Sequence, residues 1–233
     1  SANPSRTADT LRYLGLIERG LQGDAARWEP YARGRRPLFF AYSSPHDKTT
    51  QFYTLTLPKG WDPKADRAYP AYVELHGAGE DHFLGGLAPS LAAPTGPEPY
   101  RDGLHIAPFG RGNLGYRGIA EIDVWEAIGD LKRNFRVDED RQYLFGFSMG
   151  GGGTWNLATR TPDRWAAIGI LSLSLNLRPN IGLAQNISNV PTYIWGGEED
   201  RIGYRGEKSP KAQIEEQATE IRKYGGRVQV TTS

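Results

Sequence analysis

Gly146-Phe147-Ser148-Met149-Gly150 sits between an apolar run, Tyr143-Leu144-Phe145, and a segment that reads as a helix from Gly150 to Thr161. The spacing G-x-S-x-G says little alone, because Gly and Ser are common. Its context says more, since the motif needs a strand before it and a helix after it. A serine on such a turn is held in a strained conformation, and the two glycines let strand and helix approach closely. The turn lifts the hydroxyl clear of the sheet. The new helix aims its first amides at developing negative charge. A phosphate loop would need a Lys-Ser/Thr pair after the glycines, and Gly151-Gly152-Gly153-Thr154 has none. The segment therefore reads as an exposed nucleophile, Ser148, on a strand–turn–helix unit.

The rest of the chain repeats that alternation. Strands are predicted over Leu38 to Tyr42, Gln51 to Leu57, Ala71 to Leu75, Leu104 to Ala107, Gln142 to Phe147, Ala167 to Leu171, Thr192 to Trp195 and Arg227 to Thr232. Helices are predicted over Thr7 to Gly20 and Ala120 to Phe135. A third runs from Pro210 to Tyr224, opened by proline and closed by Gly225-Gly226. Arg111 to Gly118 reads as a Gly-rich polar loop. Strands alternating with helices imply an α/β fold with a mostly parallel central sheet flanked by helices. Ligands in such sheets sit at the carboxyl ends of strands. Gly-rich turns follow Leu75, Phe147 and Trp195, where that rule wants them. Residues 1–48 are expected to form a helical or extended extension packed on a main domain, 49–233.

Composition narrows the function classes. The 233 residues are 38% hydrophobic, enough for one sizeable core. A net charge of +1 gives no reason to expect nucleic acid or an anionic membrane as partner. No apolar run approaches the roughly 18 residues that cross a bilayer. Cysteine is absent, so there is no disulfide framework and no thiolate metal site. The start at Ser1 without Met fits removal of a signal peptide or a tag, and the protein is expected to be secreted or periplasmic. Asn186-Ile187-Ser188 fits the glycosylation sequon. Six Trp, twelve Tyr and eight Phe serve packing first, with a groove for sugar or aryl groups as the sharper alternative.

Other candidates follow from what a nucleophile needs. One oxyanion donor should be the amide of Met149, directly after Ser148. The second should come from His76-Gly77-Ala78-Gly79, with Ala78 N–H the first choice and Gly79 next. Two such donors hold the tetrahedral oxyanion, and losing one typically costs about 3–4 kcal/mol of barrier. His76 reads as a brace for that loop. In this order of motifs a carboxylate follows a late strand. Gly196-Gly197-Glu198-Glu199-Asp200 supplies it, with Asp200 the choice, Glu199 the reserve, and Asp163 too early. Histidine should come last, but His46, His76, His82 and His105 all precede Ser148. The expectation is a base on the order of ten residues beyond Ser233, with recruitment of His46 or His82, or a pseudoenzyme, as the rival. His82, Arg111, Asn113, Tyr116 and Trp195 flank the site as substrate contacts, and Tyr116 and Arg117 could equally brace the following helix.

Four segments carry a resemblance: YVELHGAG from Tyr72, GYRGIAEIDVW from Gly115, DEDRQYLFGFSMGGGGTW from Asp138 and GGEED from Gly196. Over roughly Thr49 to Ser233 the chain resembles the secreted α/β-hydrolase esterases related to polyhydroxybutyrate depolymerases and feruloyl/acetylxylan esterases, which border on the prolyl oligopeptidase family. The resemblance implies an α/β-hydrolase fold and a Ser–Asp–His ester hydrolase with no metal and no cofactor. It implies Ser148 as nucleophile, Asp200 as acid, the amides of Met149 and Ala78 as oxyanion donors, and a base in a Gly-His turn after the last strand. Its expected substrates are acyl or feruloyl groups on polysaccharide, or short polyester. A prolyl-oligopeptidase-type peptidase and a non-catalytic hydrolase-like binding protein are the alternatives. Only about 70 residues precede the hydrolase strands, too few for the propeller of that peptidase family.

Overall fold

The computed structural model describes residues 38–62, 64–78, 102–172, 175–200 and 208–233. The expected Thr7 to Gly20 helix lies outside the described residues, as do Gly79 and His82. Eight strands form one sheet: β1 (Leu38–Ser43), β2 (Thr50–Thr56), β3 (Tyr69–Leu75), β4 (Leu104–Pro108), β5 (Val137–Phe147), β6 (Ala167–Leu171), β7 (Thr192–Gly196) and β8 (Val228–Thr232). Their spatial order is β1-β2-β4-β3-β5-β6-β7-β8. The β1–β2 and β2–β4 pairs are antiparallel, and the run from β4 to β8 is parallel. β1 is an edge strand of this sheet.

Side chains alternate across the strands, and in β3, β6 and β7 alternate residues are the buried ones. Ala71, Val73 and Leu75 of β3, and Leu144 of β5, point into the core with Leu104 and Ile106 of β4. Among the described residues three α-helices accompany the sheet: α1 (Ile119–Asn134), α2 (Met149–Arg160) and α3 (Pro210–Lys223). α1 buries Val124, Ala127, Ile128 and Leu131, an i, i+3, i+4, i+7 stripe. α2 is buried from Gly150 to Thr159 and packs on β3, β5 and β6. Such a helix has little solvent face, which its run of Gly, Ala, Leu and Trp allows. α3 starts on the Ser209 cap, whose hydroxyl accepts from Ala212 N, and packs on β7 and β8.

Two elements differ from expectation. β5 begins at Val137, five residues before Gln142. The lead-in Val137-Asp138-Glu139-Asp140-Arg141 is polar and carries no strand period. It pairs Val137 with Tyr69 across a register shift between Tyr69 and Ala71. A 3-10 segment, Leu175–Ile187, fills what sequence left unassigned. Pro179 and Gly182 spoil any α-helical period there. No described helix is long and apolar enough to cross a membrane.

Candidate active site

Ser148 occupies the turn between β5 and α2 with φ 55° and ψ −113°. A left-handed backbone on a non-glycine residue costs of the order of 1–3 kcal/mol and persists only where its surroundings enforce it. Here Ser148 N donates to Leu171 O at 2.9 Å, and Gly152 N donates to Ser148 O at 3.1 Å. The glycines of the motif explain how strand and helix cross so closely. A Cβ on Gly146 would stand 2.5 Å from the backbone carbon of Gly150. One on Gly150 would run into the backbone of Leu75 and stand 2.8 Å from His76 O. Ser148 itself is half-buried, at the carboxyl end of β5.

The loop after β3 lies against the serine. A Cβ on Gly77 would be 3.7 Å from Ser148 Cβ and 3.5 Å from Phe147 O. His76 holds this loop from within: Nδ1 lies 2.8 Å from Gly77 O and Nε2 lies 2.8 Å from Phe109 O. Tyr116, fully buried, donates its hydroxyl to His76 O at 3.2 Å and meets the imidazole edge-on at 5.5 Å between centroids. Ala78, next along the loop, is exposed. Across the serine, Met149 is the first residue of α2, so its amide has no intrahelical acceptor.

Asp200 lies in the turn after β7, with its amide donating to Gly197 O at 3.2 Å. Ser172, just past β6, donates its hydroxyl to the Asp200 carboxylate. The other acids of that turn face elsewhere. Glu198 pairs with Lys211 at 2.8 Å and accepts from Thr232 Oγ1 at 2.8 Å. The Lys211 bond above all, then Thr232, holds the Glu198 carboxyl below its usual range. Glu199 is exposed. Asp163 lies in the 3-10 turn Pro162–Arg164, after α2, with its side chain 78% exposed. Ser233 bonds back to the turn that carries Asp200, with Glu198 N donating to Ser233 O at 2.9 Å.

The flanking residues divide. Trp195 stays at the site, its ring centroid 6.4 Å from that of Phe147. Phe147, which sequence reading did not single out, is 51% exposed directly before Ser148. Its signal was the motif's own variable position, where a large apolar side chain is forced to the surface. Tyr116 and Arg111, expected as substrate contacts, are structural braces instead. Tyr116 has no exposed surface. Arg111 Nη1 bonds Asp47 Oδ2 at 2.6 Å, its Nε lies 3.4 Å from Asp123 Oδ1, and its side chain is mostly buried. Asn113 is exposed on the same loop. The described histidines are placed away from Ser148 chemistry. His76 faces two carbonyls, His105 Nε2 lies 2.7 Å from Glu74, and His46 is exposed in the β1–β2 turn. A cleft of about 510 Å³ lined by Ala167, Tyr193 and Arg227 opens at the amino ends of β6 to β8, the opposite end from Ser148.

No family model matches the sequence. Cutinase est2 of Thermobifida alba is 42% identical over 67 residues, 29% of this chain and 20% of that protein. Among solved structures, a thermostable esterase superposes with a TM-score of 0.65 at 23% identity, over 84% of this chain and 54% of the other. A ferulic acid esterase superposes with a TM-score of 0.64 at 17% identity, over 85% of this chain and 89% of the other. The chain has the α/β-hydrolase fold. It spans about a fifth of the cutinase and about half of the thermostable esterase. Ser148, Asp200 and the His76–Ala78 loop each follow the carboxyl end of a parallel strand, on the same end of the sheet.

Proposed function

We propose that the chain is a serine carboxylic ester hydrolase that works through an acyl-enzyme. The observation that carries this is Ser148: a non-glycine residue at φ 55° on a strand–helix turn, with the Gly77 backbone packed against its Cβ. A base takes the hydroxyl proton as Ser148 Oγ attacks the acyl carbonyl carbon. The amides of Met149 and Ala78 receive the oxyanion. The alcohol leaves with the proton, and water then releases the acid. Asp200 serves as the acid that orients the base. The base is proposed as a histidine following β8, because Ser233 already bonds to the turn that carries Asp200.

The substrate proposed is an acyl or feruloyl ester of polysaccharide, or a short polyester. The neighbours named as esterases, one of them for ferulic acid, support the reaction class. Phe147 and Trp195 support the aryl option, since two tilted rings beside the nucleophile offer an aromatic surface for another ring to pack on. Polymers of this kind do not cross a bilayer, which argues for action outside the cytoplasm.

The test is turnover of p-nitrophenyl acetate and methyl ferulate by the full-length polypeptide, beside Ser148→Ala. The substitution should lower kcat by at least about a thousandfold. A fluorophosphonate should label Ser148 and no other serine. Wild-type turnover in Ser148→Ala would overturn the assignment, and an unlabelled, inactive wild type would point to a binding protein.

A further inference from the structure

We infer that Ser172 is a positioning residue for the proposed reaction, anchoring one carboxylate oxygen of Asp200 so that the other faces the base. This rests on the reading of Ser148 and Asp200 given above.

Ser172 follows β6, the strand between those that carry the nucleophile and the acid. Its amide donates to Trp195 O at 2.7 Å, which carries the β6–β7 pairing one residue past the strand. The residue before it, Leu171, accepts from Ser148 N at 2.9 Å. Consecutive residues thus touch both ends of the proposed machinery. Ser172 has φ 48°, a left-handed conformation that glycine adopts without cost. Local backbone preference alone would put glycine here, yet the position carries a side chain that is 1% exposed. That side chain's hydroxyl points to Asp200 Oδ2. A carboxylate rotates freely about its last bond unless an oxygen is held. A donor on Oδ2 fixes the rotation and sets the direction of the second oxygen, which can accept an imidazole N–H. It also favours the charged form of the acid, the form that stabilises an imidazolium.

A merely structural Ser172 would join two loops and leave the acid's chemistry alone. The two roles separate in the titration of Asp200, followed by carboxyl ¹³C NMR and assigned with Asp200→Asn. Ser172→Ala and Ser172→Gly should each raise the Asp200 midpoint by about one pKa unit, a tenfold change in protonation. Ser172→Thr should restore the wild-type midpoint. Ser172→Gly suits φ 48° and should fold even where Ser172→Ala does not. In full-length enzyme, Ser172→Gly should lower kcat on p-nitrophenyl acetate about tenfold, leave KM unchanged, and shift the acid limb of the pH profile. An Asp200 midpoint identical in wild type and Ser172→Gly overturns the inference, whatever the esterase assay gives. A shifted midpoint with full turnover in Ser148→Ala overturns the esterase reading and this inference with it.

Discussion

The backbone of Gly77 packs on Ser148 so closely that a methyl group on Gly77 would lie 3.7 Å from Ser148 Cβ. That is ordinary van der Waals contact, so the fold has room for it. The space it fills is the gap between Ser148 and the loop whose amides are proposed to hold the oxyanion. Gly77→Ala should therefore keep its melting temperature close to wild type while kcat on p-nitrophenyl acetate falls about 10- to 100-fold, as small misplacements of reacting groups do. Thermal melting beside steady-state kinetics checks this. Unchanged kinetics would place the acyl group elsewhere.

Gly150→Ala is the opposite case. Its Cβ would meet the backbone of Leu75 and His76, and backbone cannot swing aside like the end of a side chain. The substitution should cost about 3 kcal/mol or more of stability, at the upper end for overpacking. Urea unfolding of Gly150→Ala beside Gly77→Ala gives the contrast, with only the former collapsing.

These glycines were legible in the sequence because the motif prescribes them, and the strands were legible because alternate residues are buried. Ala71, Val73 and Leu75 could be read directly from their period. Local pattern failed where partners come from far along the chain. Arg111 reads as a substrate contact flanking the site, yet it is held by Asp47, 64 residues earlier. Tyr42 reads as the end of an edge strand, yet its hydroxyl reaches Asp123, 81 residues on. Ser172 is silent in sequence, because its role exists only where the ends of β6 and β7 meet. Val137 to Arg141 failed for another reason: that part of β5 is solvated and carries no apolar alternation.

His76 bridges two carbonyls, Gly77 O and Phe109 O, and no nucleophile. His76→Leu should remove the ring N–H that one of these carbonyls accepts and cost about 1–3 kcal/mol of stability. Turnover should fall with loosening of the loop yet retain the wild-type pH dependence. A base would behave otherwise, since its loss would remove the pH limb along with the rate. The pH profile of the variant decides between brace and base.

Phe147 is 51% exposed and inclined 39° to Trp195. If these rings receive an aryl group, Phe147→Ala should lower kcat/KM for methyl ferulate about tenfold, in the range of one aromatic contact. Turnover of p-nitrophenyl acetate carries an aryl leaving group but a methyl acyl group, so a small change there locates the platform on the acyl side. A loss confined to p-nitrophenyl acetate would move it to the alcohol side, since methyl ferulate offers only methanol there, and an equal loss on both would mean a general disturbance of the site. No loss on either would remove the platform from the site.

Asp123 links α1 to the rest of the network that fixes the Arg111 loop. Its Oδ1 accepts from Tyr42 at 2.7 Å, while Oδ2 is buried with no hydrogen-bond partner among the described residues. Burial raises the Asp123 pKa, and the Tyr42 bond, the Arg111 charge and the Gly110 amide only partly oppose it. The folded protein therefore holds this proton at pH values where the unfolded chain, with a midpoint near about 4, has lost it. Stability due to this group is then full below about pH 4 and declines as pH rises through the folded midpoint. Asp123→Asn keeps an acceptor for Tyr42 and never charges. Urea midpoints of wild type and Asp123→Asn should lie close at pH 3, within about 1 kcal/mol, and the wild type should lose ground to the variant as pH climbs from 4. A constant difference from pH 3 to 8 would mean that the buried carboxyl is ionised throughout and that Arg111 outweighs its burial.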